Sequence, residues 1–380
     1  MNVLRTSVGL FFSVVLLSSL QAAPQDISSL LEGFRAEYEL PALAAAVFDR
    51  DGIVALGATG VRKSGSPIEV TLDDPWHLGS ETKAMTATLA GTFVAEGKLS
   101  WTDKVITFFP ELANTSVPQL RDITVSDLLS HRAGFRANLP WADFDRSQPF
   151  IRQREKAVRD LLTASPEFTP GSYHYSNAGY VIVGAVLERI GKKPWEQLMV
   201  ERLFRPLGMK IAGFGGVGTP GKLDAPWGHR ENGKPVLKNG PARDNPPVMA
   251  PAGRVHASVR AWAKFLIDQL RGAAGEKALL PPSIYTAIQT PHFDGNYAYG
   301  WGTARPPWAQ GGKVLTHAGS NTMNYAVCWL SVDQGFGVLL CTNQSGKQAS
   351  AACRKAGLAL IRDYQNQGFL RAENTQASSR

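Results

Sequence analysis

Gly79-Ser80-Glu81-Thr82-Lys83-Ala84-Met85-Thr86-Ala87-Thr88-Leu89-Ala90 opens with a serine and reads on as a long, mostly apolar helix that stops near Gly97. Residues three apart share a helix face, so the Ser80 hydroxyl and the Lys83 amine can touch. The first turn of a helix leaves backbone N–H groups without partners. These lie close to the serine oxygen, where they can hold a developing negative charge. One turn of chain thus offers a nucleophile, a base and part of an oxyanion hole. Ser-x-x-Lys alone is a weak pattern, expected about once in a chain of this length at ordinary residue usage. Here Ser80…Lys83 is its one occurrence, and it stands at a helix start.

The chain has 380 residues, 44% hydrophobic and 19% charged, which suits one large or two closely joined domains. Its beginning reads differently. Arg5 gives a positive start, residues 8–20 an apolar core and Gln21-Ala22-Ala23 a small-residue exit. That is the pattern of a secretory signal over residues 1–22, cut after Ala22 and too short to span a membrane as a mature helix. The mature protein is therefore expected to be exported, to a periplasm. Cys328, Cys341 and Cys353 fall in the last quarter, and that compartment permits a disulfide as readily as three apolar core thiols. The net charge of +8 is read as dispersed surface charge. Arg152, Arg154, Lys156 and Arg159, with interleaved acids at helical spacing, are expected on a solvated helix face.

Apolar spacing predicts a helix over 27–38, then a hairpin of strands 42–47 and 53–57 about Asp51-Gly52, then the Ser80 helix. Residues 99–209 read as helices and loops: a capped short helix from Thr124, a strong apolar helix over 177–190 and a third over 194–203. Residues 213–245, rich in Gly, Pro and Lys, read as a long surface excursion, and 251–270 as a further helical stretch. Strands are predicted at 297–303, 314–317, 325–331 and 337–342, a last helix over 349–364, and a disordered polar tail from Glu373. Strands at both ends with helices between them predict an α/β (α+β) fold. One antiparallel sheet is built from both chain ends and flanked by helices, with a mostly helical domain inserted. Residues 24–372 then form a single unit, its α/β part about 24–98 and 250–372, its helical part about 99–249, with 373–380 as the tail.

Two further constellations carry chemistry. Tyr175-Ser176-Asn177 follows Pro170-Gly171 and precedes an apolar helix, so a phenol and an amide on one loop can point into one cleft. His317-Ala318-Gly319-Ser320 ends a predicted strand; Gly319 lets backbone approach a ligand, and the Ser320 N–H can be a second oxyanion donor. Ser80…Lys83, Tyr175-x-Asn177 and His317-x-Gly319, in that order and at these separations, resemble the serine β-lactamase and penicillin-binding-protein superfamily. The resemblance is to its branch of class C β-lactamases, DD-peptidases and related esterases. Ile123-Thr124-Val125-Ser126-Asp127-Leu128-Leu129-Ser130-His131-Arg132-Ala133-Gly134 is similar to another block of that family. So are Pro206-Leu207-Gly208-Met209, Pro251-Ala252-Gly253 and Tyr299-Gly300-Trp301, and the likeness covers about residues 30–343.

The resemblance implies roles. Ser80 would be acylated, Lys83 would take its proton or hold it for Tyr175, and Tyr175 would act as general base toward Ser80 or water. Asn177 would bind the substrate carbonyl and steady Lys83, and the N–H groups of Ser80 and Ser320 would form the oxyanion hole. A serine hydroxyl needs a base in reach. A tyrosine of pKa about 10 must fall by about three units, or about 4 kcal/mol, to serve as phenolate at neutral pH, an attraction a cationic Lys83 could supply. His317 stands where the β-lactamases usually carry lysine. A histidine of pKa about 6.5 is mostly neutral at pH 7, so one cation is missing. Ala318 removes a hydroxyl that in penicillin-recognising members helps bind a carboxylate. His317, Gly319 and Ser320 are thus expected to line a site that favours neutral esters or amides over a penicillin or a D-Ala terminus.

The expected function is an exported serine hydrolase acting through an acyl-enzyme on small esters, D-amino-acid peptides of the cell wall or β-lactams, the last least efficiently. The alternative is a β-lactamase-fold binding protein for cell-wall peptides that has lost turnover, against which the intact Ser80, Lys83, Tyr175 and Asn177 count. No cofactor is expected. No His-Glu-x-x-His or paired-cysteine spacing suggests a metal, no Gly-x-Ser-x-Gly an α/β-hydrolase elbow, and nothing beyond net charge a nucleic acid. The partner is a small-molecule ester, β-lactam or cell-wall peptide substrate; no integral membrane segment is expected in the mature chain, and the oligomeric state is left open. His77, His131, His229 and His256 read as structural or solvated, and Tyr364…Asn366 as chance.

Overall fold

The strand Ala42–Asp49 is apolar at all but its last position, as strands are when both faces of their sheet are covered. The computed structural model, which describes residues 23–366 and 369, shows both layers. The leader read at 1–22 and the tail at 373–380 lie outside the described residues. The strands in chain order are β1 (Gln25–Asp26), β2 (Ala42–Asp49), β3 (Gly52–Gly60), β4 (Trp76–His77) and β5 (Ala212–Phe214). They continue as β6 (Val255–Ala257), β7 (Gly302–Ala304), β8 (Val314–Ser320), β9 (Tyr325–Ser331) and β10 (Phe336–Thr342). The large sheet has the order β1-β3-β2-β10-β9-β8-β7, and β4-β6-β5 form a small second sheet. At its centre β2 pairs with β10, Val47 opposite Val338, so the sheet is assembled from both ends of the chain as expected. Every ladder in it is antiparallel except the short β1–β3 pair, which is parallel.

The helices are α1 (Ser28–Glu37), α2 (Thr82–Ala95), α3 (Val125–Leu129), α4 (Phe150–Leu162) and α5 (Asn177–Gly191). They are followed by α6 (Trp195–Met199), α7 (Ala250–Gly253), α8 (Val259–Ala273), α9 (Pro282–Gln289) and α10 (Lys347–Gln365). Strand alternation sorts them into layers. Leu43, Ala45 and Val47 of β2, with Val338 and Leu340 of β10, face Leu31 of α1 and Ala352, Ala356 and Leu360 of α10. Ala42, Ala44, Ala46 and Phe48, with Leu339 and Cys341, face the larger core that contains α2, α5 and α8.

Helix α2 is buried from Thr82 to Phe93 on all sides, with α5, α7 and α9 packed around it. Its threonines find partners there. Thr82 Oγ1 donates to Gly79 O (2.7 Å) and Thr86 Oγ1 to Pro251 O (2.7 Å), while Thr88 Oγ1 accepts from Gln269 Nε2 (3.3 Å). The cap expected at Thr124 is present and takes the form of a capping box: its side chain accepts from Asp127 N, and Asp127 accepts from Thr124 N.

Several expectations are corrected. Residues 251–270 are not one helix. The short α7 gives way to β6, which pairs with β4 and β5, and α8 restarts where Ser258 Oγ accepts from Ala261 N (3.2 Å). The strand predicted at 297–303 is a turn at Gly300 (φ 77°) that buries Tyr299 and Trp301, and only β7 follows it. The helix predicted at 194–203 is α6 followed by a wider π-helical turn, Val200–Phe204. Residue 213 lies within β5, so the excursion begins after it. Cys328, Cys341 and Cys353 are separate buried thiols. Of the basic run on α4, Arg154 is not solvated at all. Its guanidinium donates to Glu188 (2.6 Å) and Glu196 (2.8 Å), and both carboxylates sit behind it on α5 and α6. Charges of both signs at helical spacing fit a surface or a buried clamp equally well; the missing information was that Glu188 also faces inward.

Removing one partner of a buried ion pair leaves the others uncompensated. Arg154→Met is expected to lower unfolding stability by about 3–5 kcal/mol, measured by urea denaturation. The neighbouring exposed change Arg152→Met is expected to stay within about 0.5 kcal/mol.

Candidate active site

The turn that carries Ser80 starts tighter than a regular helix. Gly79–Glu81 forms a 3-10 turn that runs into α2, with Gly79 at φ 53°. The end of β8 lies directly against this turn. A Cβ built on Gly79 would be 2.4 Å from Ser320 N, and one on Gly319 would be 2.0 Å from Leu78 O and 2.6 Å from Ser80 N. Only glycine fits at either place, and the fit sets the backbones of Ser80 and Ser320 side by side. Gly79 N–H donates to His77 Nδ1 (3.2 Å), whose Nε2 is 2.9 Å from the buried Asp244. Leu78 N–H donates to Val255 O (2.9 Å). The turn is thus fixed from both sides.

Lys83 is wholly buried, and its Nζ lies 3.0 Å from Ser80 Oγ, 2.7 Å from Asn177 Oδ1 and 2.7 Å from Ala252 O. Burial alone pushes this amine well below its usual value. Asn177 is oriented at its other end, where Nδ2 donates to Asn138 Oδ1 (2.8 Å). Ser176, not Asn177, caps α5: its Oγ accepts from Gly179 N (3.1 Å). The loop carrying Tyr175 is held by His131, whose Nδ1 accepts from Ser176 N (3.1 Å) and whose ring packs 4.3 Å from that of Tyr175.

Tyr175 lies over the amine, with Lys83 Nζ 4.8 Å from its ring centroid, and its hydroxyl hydrogen-bonds Ser80. The lowering that a phenolate would require is not favoured here. Burial raises Tyr175 well above the usual phenol range, and the bond to Ser80 offsets only part of that rise. The same burial also disfavours the ammonium form of Lys83, the cation that would hold a phenolate.

His317 lies inside, 6.2 Å from Tyr175 ring to ring. Its Nδ1 is 2.8 Å from Ala318 O, which can only accept, so Nδ1 carries the proton and Nε2 accepts from Tyr297 Oη (3.1 Å). Burial, then the proximity of Lys83, lowers its pKa to about 3. The missing third-motif cation is therefore absent with a margin. Glu81 turns away from Ser80 into the core, against Cys328 Sγ (3.4 Å), and burial raises its carboxyl well above the usual range.

Ser80, Lys83, Tyr175, Asn177, His317, Gly319 and Ser320 come together in one cleft. Sequence reasoning missed Tyr297, Asn138 and the Ala252 carbonyl. Ala252 stood in a quoted block, so its place was legible, whereas Tyr297 and Asn138 carried no local signal. His77, His131, His229 and His256 are mostly or wholly buried and bonded, none of them solvated. Tyr364 stacks on Phe336 at 4.3 Å, against the opposite face of the sheet from the cleft. Among the described residues no group of His, Cys, Asp or Glu is arranged to hold a metal ion.

A family model described as Beta-lactamase matches residues 27–361. The chain belongs to the β-lactamase family. It is 32% identical over 178 residues to "Penicillin-binding protein 4" of Amycolatopsis lactamdurans, which covers 47% of this chain and 46% of that protein. It is 28% identical over 149 residues to a "Putative D-alanyl-D-alanine carboxypeptidase" of Escherichia coli (strain K12), covering 38% of this chain and 34% of that one. The chain thus spans less than half the length of these curated relatives. Its fold is that of a class C β-lactamase from Rhodobacter sphaeroides, with a TM-score of 0.71 over 88% of this chain and 98% of that one at 18% identity.

The neutral His317 has a consequence for stability. Its folded pKa of about 3 lies below the unfolded value, so the unfolded chain binds the extra proton between the two. The stability this contributes is complete above about pH 6.5 and is lost as pH falls toward about 3. His317→Gln is expected to flatten the acid limb of unfolding free energy over that window, measured by denaturant titration at a series of pH values.

Proposed function

We propose that this chain is a serine hydrolase that works through an acyl-enzyme, with Ser80 as nucleophile and Lys83 as its base. The observation that carries the reading is the buried amine between one hydroxyl and two carbonyl oxygens. A neutral amine has two N–H groups and one lone pair. Asn177 Oδ1 and Ala252 O take the N–H groups, and the lone pair faces the Ser80 hydroxyl. As Ser80 Oγ bonds to the substrate carbonyl carbon, its proton passes to Lys83. The carbonyl oxygen becomes an anion between the N–H groups of Ser80 and Ser320, positioned before reaction by the Gly79–Gly319 contact.

Tyr175, held as a phenol, gives its proton to the leaving group as the bond to it breaks, and Lys83 returns a proton to Tyr175. The acyl-enzyme then has both groups neutral. In deacylation water gives its proton to the Lys83–Tyr175 pair, attacks the acyl carbon, and Ser80 Oγ leaves with that proton. The second N–H of Asn177 Nδ2 remains free for the substrate. The relatives named as a penicillin-binding protein and a D-alanyl-D-alanine carboxypeptidase support ester or amide substrates of the D-amino-acid peptide type. The leader read in residues 1–22 would place the reaction outside the cytoplasm.

Purified protein offered a chromogenic ester, a D-Ala-D-Ala peptide and a chromogenic cephalosporin is expected to turn over the ester or the peptide, and Ser80→Ala none. A fluorophosphonate probe should add its mass to wild type only. No turnover and no adduct would sink the enzyme reading and leave a binding protein. Lys83→Met is expected to lower kcat/KM by about 10²–10⁴. Protonation removes the base, and burial moves its pKa down from about 10.4. The rate should therefore be level through mildly alkaline pH and fall only on the acid side. A kcat/KM still climbing toward pH 10 would mean that Lys83 is not the neutral base.

A further inference from the structure

Past Ser320 the chain turns abruptly. Thr322, a β-branched residue, sits at φ 69°, and Asn321 Oδ1 holds the turn by accepting from the N–H groups of Met323 (3.3 Å) and Asn324 (3.0 Å). Asn321 and Thr322 line a cavity of about 430 Å³, and Arg230, Lys238, Arg243 and Asp244 of the long excursion line it too. That volume lies in the range of sites for small organic molecules, about 300–1,000 Å³.

The charges in this wall are unbalanced. Arg230, Lys238 and Arg243 are exposed, and among the described residues none of their side chains has an ion-pair or hydrogen-bond partner. The acid in the wall is already used. Asp244 Oδ1 contacts His77 Nε2 (2.9 Å) and Asn321 Nδ2 (3.2 Å), and Oδ2 accepts from Arg254 Nε (3.0 Å). Burial would raise its carboxyl, but His77 and then Arg254 hold it at about 2. Three unpaired cations therefore line the cavity, and Asp244, the carboxylate among its lining residues, is already engaged.

The cavity is also tied to the reacting atoms. It begins one residue beyond Ser320, and Asp244 reaches Gly79 through His77. The inference below takes a substituent that follows the end of β8 from a carbonyl at Ser80 to reach this lining.

We infer that this cavity binds an anionic substituent of the substrate, a carboxylate or a phosphate remote from the scissile bond, and so sets a preference for acid-bearing esters or amides. This rests on the reading of Ser80 as the acylated nucleophile. It reverses the expectation of neutral substrates: the cation absent from His317 is replaced by three on a loop with no place in the three motifs. Exposed charges are screened by salt, so the preference weakens as ionic strength rises.

The test compares three acetyl esters that differ in one group: 3-acetoxybenzoate, its uncharged methyl ester, and 3-acetoxyphenyl phosphate. Wild type at low salt is expected to favour one or both anionic esters by about tenfold or more in kcat/KM, each charge contact being worth a severalfold change. The phosphate and benzoate arms show which anion fits. In the triple variant Arg230→Gln, Lys238→Gln, Arg243→Gln the anionic-to-neutral ratio should fall toward one. A control with Lys98→Gln, Lys104→Gln and Lys355→Gln, none of which lines the cavity, should keep the wild-type ratio. A wild-type ratio near one, or the same ratio in wild type and the triple variant, overturns the proposal. If wild type hydrolyses none of the three, the catalytic reading is judged by the fluorophosphonate adduct and the cavity by binding alone. Isophthalate and phenyl phosphate binding by calorimetry then decides the cavity: at least tenfold weaker binding of one of them in the triple variant supports it, and equal affinity for both, or binding of neither by wild type, overturns it.

Discussion

A lysine amine sealed beneath a serine, with no carboxylate in contact, is the constraint around which this molecule is arranged. Burial disfavours its ammonium form, and its partners are a hydroxyl and two carbonyl oxygens rather than a counter-ion. Those carbonyl oxygens come from two distant stretches, the start of α5 and the short α7. The threonines of α2, each bonded to a neighbouring segment, show the same economy: polar atoms enter the core only where a backbone oxygen or a side-chain amide meets them.

Burial dominates the electrostatics around that amine. Lys83 and His317 are pushed down, Tyr175 and Glu81 are pushed up, and one cause, desolvation, accounts for all four. Protons can move between such groups without separating charge over long distances, which suits a relay better than a standing ion pair does. Charge returns only outside the cleft, on the excursion after β5, where water can solvate it.

Much of this could be read in the sequence. The apolar runs on either side of Asp51-Gly52 announce a hairpin, and the match of β9 and β10 to apolar runs is close because both are largely buried. The three motifs placed every residue of the cleft that contributes a side chain to the nucleophile. What could not be read depends on partners far along the chain. Arg154 looks solvated until Glu188 and Glu196 are brought behind it. Residues 251–270 look like one helix until β4 and β5 are there to pair with β6. Tyr175 looks like a candidate phenolate until the depth of the cleft is known, since a pKa is a property of surroundings and not of a residue type. Tyr297 carries no pattern of its own; only the folding back of the Gly300 turn sets its hydroxyl on His317.

The contact between Gly79 and Gly319 has a further meaning when the molecule is followed through its synthesis. The turn that carries Ser80 is made early and β8 late, and the sheet cannot bring them together until β10 has threaded between β2 and β9. Pairings of such long sequence separation form slowly, after local helices and hairpins. A partly folded chain that has made α2 but not the sheet would hold Ser80 and Lys83 side by side without the Ser320 backbone beside them. On the reading of Ser80 as the acylated residue, a covalent probe of it would also report that the sheet has closed.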